Sequence, residues 1–262
     1  MRRIPLLCLF LLLFGVPSAF AGSLDLGVAG AGLSIGNSPR WNGIRLNFRD
    51  SDVEVVNGIN FTVYKSRHPQ HSRMNGLLLG IVAPEAHQMR GVAIGLGGVG
   101  ADEMDGVALG GLAAGAGDSF RGIALGGLAV GAGNGFKGLG AALLAAGAGD
   151  GGTGVLLGGL AAGAGESFDG ILVGGLAAGS GQSSRGLQVG GLAAGTGESF
   201  HGVLVGGLAA GTGQDFRGLG LGGLAVGAGE EMFGVAIGGL AAGAGEEMHG
   251  VAIGGLGVGA PH

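Results

Sequence analysis

The sequence predicts an all-β protein, a parallel β-solenoid of about fourteen coils of 15–18 residues, and three observations predict it. Glycine makes up 68 of 262 residues, about a quarter of the chain. These glycines recur at a fixed spacing of sixteen from Gly106 to Gly250. Between them, apolar and polar residues alternate with period two, the signature of a strand with unlike faces. Self-similarity at such a short period marks stacked coils, each of which buries its core against its neighbours. Collagen is excluded because the glycines do not fall at every third position. Disorder is disfavoured because 47% of residues are hydrophobic and only 12% charged.

The first segment, residues 1–21, reads as a signal peptide. Arg2 and Arg3 precede an apolar run from Ile4 to Val16, and Ala19-Phe20-Ala21 supplies a small-x-small cleavage site before Gly22. The single cysteine, Cys8, lies inside that run, so the exported chain is expected to hold no disulfide. Residues 22–42 follow as a capping segment, because an open β edge at the end of a rod recruits other chains.

Residues 43–105 form four looser repeats that start at Gly43, Gly58, Gly76 and Gly91 and span 15, 18, 15 and 15 residues. The segments Gly43-Ile44-Arg45-Leu46-Asn47-Phe48 and Gly58-Ile59-Asn60-Phe61-Thr62-Val63 alternate apolar with polar. The apolar members are expected to face inward and the polar ones water. Asn-Gly at 42–43, 57–58 and 75–76 marks a corner where φ turns positive.

Residues 106–262 form the regular array. Its unit is G-h-x-h-G-G-L-A-A-G-A-G-[DEQ]-x-[FM]-x, where h is aliphatic, numbered here from its first glycine. It predicts a strand at positions 2–4, a Gly-Gly corner, a strand at 7–9, a second glycine corner and a polar turn. Position 7 is leucine in all ten copies, Leu176 among them, and is expected inward. So is position 15, occupied by Phe120, Phe136, Phe168, Phe200 and Phe216, with Met104, Met232 and Met248 substituting.

The alternative architecture is an antiparallel meander or outer-membrane β-barrel with one strand per repeat. Near-identical turns in every copy favour the solenoid. The barrel is kept in play by a 32-residue alternation at position 13, Glu166, Gln182, Glu198, Gln214 and Glu230, which otherwise reads as a trace of a two-repeat duplication.

The segments Gly43 to Phe48, Val56 to Phe61, Gly76 to Val82 and Gly91 to Gly95 resemble the short repeats of bacterial surface-repeat-containing proteins. Those repeats read approximately G-L-x-[IL]-G-L-[VI]-N with a step of 15–16 residues. The resemblance covers about residues 41–260, and the GGLAAGAG copies depart from it by carrying Ala where the family has Asn. It implies export and a cell-surface or envelope location, and supplies no activity.

Chemistry recurs only in the polar turn. Asp118, Asp150, Glu166, Glu198, Glu230 and Glu246 are expected to stack into a carboxylate ladder, the one candidate metal site, since hard cations need converging oxygens. The competing reading is a solvated edge that gives solubility. His68, His71 and His87 lie in the most irregular stretch, without a third ligand at metal-binding spacing. No nucleophile elbow, P-loop or paired-carboxylate pattern appears, so neither catalysis nor a cofactor is expected. The lack of a basic, aromatic-interleaved run argues against nucleic acid. The expected function is a secreted or cell-surface structural, adhesive or scaffold role. An envelope or surface polymer, or self-association through the C-terminal edge, would supply the partner. The alternative is an outer-membrane barrel acting as a small pore.

Overall fold

A computed structural model describes residues 22–259. The signal-peptide reading of residues 1–21 and the end of the chain, Ala260 to His262, lie outside the described residues.

The protein is a parallel β-solenoid of about 14 turns, almost entirely strand. At the N-terminal end, β1 (Ser23–Val28) and β2 (Ala31–Gly36) form an antiparallel hairpin. Its two-residue turn, Ala29-Gly30, has φ of 52° and 74°. Positive φ at both central residues matches the right-handed twist of a strand pair. β2 then pairs in parallel with β3 (Arg40–Ser51), and every later strand pairs in parallel with its equivalent one coil away. β4 (Val55–Arg67), β5 (Arg73–Gly80), β6 (Glu85–Gly95), β7 (Gly98–Gly110) and β8 (Ala113–Gly126) continue the stack. From β9 (Ala129–Ala132) and β10 (Gly135–Ala142) onward each coil is a short strand of four residues, three in the last, and a long one of seven or eight. Residues pair sixteen apart, Phe200 with Phe216 and Gly202 with Gly218. Parallel pairing and a filled interior replace the barrel alternative: among the described residues only the β1–β2 pair is antiparallel.

Strand boundaries differ from those predicted. The long strand runs from position 14 through position 5, as in Ser167–Gly174, and the short one covers positions 8–11, as in Ala177–Ser180. The polar turn therefore shrinks to positions 12 and 13. The glycine at position 1, taken as a corner, is a bend inside the long strand. Its φ lies between 118° and 143° from Gly106 to Gly250, and a β-carbon at Gly170 would sit 2.0 Å from the Gly154 carbonyl oxygen. Only glycine fits both the torsion and the approach.

The inward ladder at position 15 is as expected. Met74, Met89, Met104, Phe120, Phe136, Phe168, Phe200, Phe216 and Met232 are buried in one column. Phe120 and Phe136 stack with ring centroids 5.3 Å apart, as do Phe200 and Phe216 at 6.0 Å. The remaining core comes from positions 3, 9 and 11, for example Leu172 and Ala178.

The sign of the alternation is the reverse of the expectation. The position-7 leucines point outward: Leu176 is 46% exposed and Leu112 56%. Positions 2 and 4 also face out, and position 3 faces in. In β3, Arg45 is fully buried while Ile44, Leu46 and Phe48 are exposed. The interior of the first coils is polar because a hydrogen-bonded network fills it. Arg45 donates to Asp50 Oδ1 at 2.5 Å, Asn60 Oδ1 at 2.8 Å and Asn37 Oδ1 at 2.8 Å, and Asn60 Nδ2 donates to Asp50 Oδ2 at 2.9 Å. A buried ion pair with several further hydrogen bonds offsets its desolvation.

Candidate interaction surface

Strict register turns each outward position into a column of like side chains along the molecule. Position 2 gives Val107, Ile123, Leu139, Val155, Ile171 and Leu187 in direct succession, and the column extends to Leu33 at one end and Val251 at the other. Position 4 gives a parallel column through Leu109, Leu125, Leu157, Val173, Val189 and Val205. The position-7 leucines stand at the next corner, where from Leu128 onward each Leu N–H bonds the Leu carbonyl one coil back, as from Leu176 to Leu160 at 2.8 Å. Beyond them, the short strands expose Ala at position 8 and Gly at position 10, a flat surface of small groups. More than half of the circumference is thus apolar, far beyond the ~300–600 Å² of the largest patch on an ordinary soluble monomer.

The rest of the circumference is polar. Position 16 forms a column beside the aliphatic face that begins Asn42, Asn57, Asn75. In that amide ladder Asn57 donates to Asn42 at 2.7 Å and Asn75 to Asn57 at 2.8 Å. It continues through Arg90, Asp105, Arg121, Lys137, Thr153, Asp169, Arg185, His201 and Arg217. It ends with Arg217 lying 5.2 Å over the Phe233 ring, which stacks on His249 at 4.7 Å.

The six carboxylates singled out in the sequence, Asp118, Asp150, Glu166, Glu198, Glu230 and Glu246, are all exposed on the opposite corner. Backbone hydrogen bonds link them in one column with Asn134, Gln182 and Gln214 interleaved. The neutral amides separate like charges at three places, while Asp150 stacks directly on Glu166 and Glu230 on Glu246. Among the described residues no three His, Cys, Asp or Glu side chains converge as a metal cluster. The histidines are dispersed: His87 Nδ1 lies 2.7 Å from Asp102 Oδ2, His68 Nδ1 lies 3.5 Å from Asp52 Oδ1, and His71 ends a short 3-10 turn.

Compared with protein-family models, with curated proteins and with solved structures, the chain matches none.

Two further polar groups went unread in the sequence. Inside the rod, Ser184 and Gln188 take the places of Phe and Leu at positions 15 and 3. Ser184 donates to Ser180 at 2.7 Å, and Thr196 to Gln188 Oε1 at 3.3 Å, a belt that divides the apolar core in two. In the hairpin, Asp25 Oδ1 accepts hydrogen bonds from Ser34 and Ser38, both at 2.7 Å. The Ser38 bond is the main reason that its carboxyl titrates below the usual range. The outward aliphatic columns were also missed. Their signal lay in volume: positions 2, 4 and 7 carry more bulk than an interior already holding position 15 has room for.

Proposed function

We propose that this chain is an exported, non-enzymatic structural protein of the bacterial cell surface or envelope, a scaffold that engages an extended or repetitive partner. The observation that carries this reading is the outer surface, where the same side chains recur once per coil along the whole stack. A repeating surface suits a partner that itself repeats or extends, such as an envelope polymer, a flat surface or another rod, better than a single small molecule held in one pocket. Export is supported by the charged, apolar and small-x-small order of residues 2–21. The resemblance to surface-repeat proteins points to the same location.

Cell fractionation combined with protease shaving tests the proposal. Cells expressing the full chain should yield a species starting at Gly22 that external protease removes from intact cells. Retention in the cytosol with Met1 still attached would overturn it.

A further inference from the structure

We infer that the aliphatic face formed by positions 2 and 4, with the position-7 leucines along its edge, is an interface with a second copy of this chain, two rods packing sheet on sheet in antiparallel orientation. The inference deepens the scaffold reading and rests on it for biological meaning, although its geometry can be tested wherever the protein resides.

Area comes first. The position-2 column spans from Leu33 to Val251, a stack on the order of 70 Å at ~4.8 Å per strand. From position 2 to the position-7 leucines the face is roughly 15 Å wide at ~3.3 Å per residue. The product, on the order of 1,000 Å² per copy, exceeds the ~800 Å² per partner of a standard stable interface. The position-2 column holds only Val, Leu and Ile and is nearly uniform in height, and position 4 departs from those three only at Phe61 and Ala141. Two such faces interdigitate at the ~10 Å spacing of stacked sheets.

Charge decides the occupant and its direction. The position-16 column flanks the face over fifteen rows from Ala31 to His249, and without the terminal Ala31–Leu33 row its midpoint lies between Lys137 and Thr153. A two-fold axis across the rods at that point reverses one column against the other. Overlap of these fourteen rows sets Arg121 opposite Asp169, Asp105 opposite Arg185, and Lys137 opposite Thr153. Overlap of all fifteen would set Asp105 opposite Asp169 and Lys137 opposite itself, so charge selects the fourteen-row register. Because a two-fold interface is self-complementary, each unlike pair occurs twice. These four residues are exposed in the single chain, so the pairs form at the rim, where they choose partner and register. The two acidic residues set among these cations favour this arrangement over an anionic lipid surface, which calls for a purely basic flank.

Analytical ultracentrifugation of the purified protein at micromolar concentration tests the inference, with circular dichroism and thermal melting as fold controls. The wild type should sediment as a dimer. Val155→Glu combined with Ile171→Glu, both mid-face and outward, should weaken dimerisation by about 100-fold or more while leaving the spectrum unchanged. Asp105→Arg alone should weaken it by about tenfold, and adding Arg185→Asp should restore it. A monomeric wild type that binds vesicles of phosphatidylcholine and phosphatidylserine would overturn the inference in favour of lipid. A dimer indifferent to the two glutamates would overturn the assignment of the face, and lack of rescue by Arg185→Asp would overturn the antiparallel register. None of these readings depends on cellular location, so failure of export and failure of pairing are seen separately.

Discussion

Glycine plays two unlike parts in each coil, and the difference is measurable at single residues. At Gly170 a β-carbon meets a carbonyl oxygen at 2.0 Å and φ is 143°. At Gly147, in the outward position 10, the nearest atom lies 3.4 Å away and φ is not positive. Gly170→Ala should cost on the order of 3 kcal/mol, whereas Gly147→Ala should gain ~0.5–1 kcal/mol by lowering the entropy of the unfolded chain. Denaturant titration of the two variants checks this, and equal losses would contradict the assignment. The same scale shows what the sequence conceals. The Phe and Met ladder could be read because one large residue recurs at one position against a background of Ala and Gly. The facing of positions 2, 4 and 7 could not. Alternation says that neighbours face opposite ways, and polarity normally says which way is out. Here Arg45 and Asn60 are inside while Ile44 and Leu46 are outside, so polarity pointed to the wrong side.

At the scale of the coil, positions 3 and 9 share the interior, and in some coils they trade volume. Beside Ala178 and Ala210 at position 9, position 3 is a large residue, Leu172 or Leu204, while Ala114 and Ala242 share their coils with Ala108 and Ala236. Where position 9 is Val226, position 3 is Gly220, and a β-carbon there would lie 2.7 Å from Val226 Cγ1. Gly220→Ala should therefore overpack the coil and cost ~1–3 kcal/mol, and Val226→Ala in the same chain should recover most of that loss. Additive losses in thermal melts of the single and double variants would refute the coupling. This compensation is visible in the sequence only once positions 3 and 9 are known to share the interior. Strand limits were obscured for a similar reason, since the bend glycine at position 1 and the corner glycines at 5, 6 and 12 look alike until their torsions are seen.

At the scale of the molecule, each coil contacts mainly its neighbours, so stability is close to a sum over coils and interfaces. Residues 219–234 form one such unit, and their removal takes out Gly220 and Val226 together. Deletion would set Leu204 beside Ala236 and Phe216 beside Met248, both acceptable core neighbours. The shortened chain should fold, lose ~4.8 Å of length in small-angle scattering and melt within a few degrees of the parent. Loss of the cooperative transition would show that the rod is one indivisible unit. Architecture at this scale was the part most open to sequence reading, because equal turns in every copy distinguish stacked coils from strands that alternate between two ends.

The exact pairing of each glycine with its counterpart one coil away also bears on how such a protein changes over generations. One coil corresponds to a whole number of codons and presents the same backbone edge above and below. An unequal exchange between repeats in the gene therefore adds or removes complete coils, with the reading frame kept and no new junction to invent. Rod length becomes a heritable variable separate from the fold, with the β1–β2 hairpin left unchanged at one end.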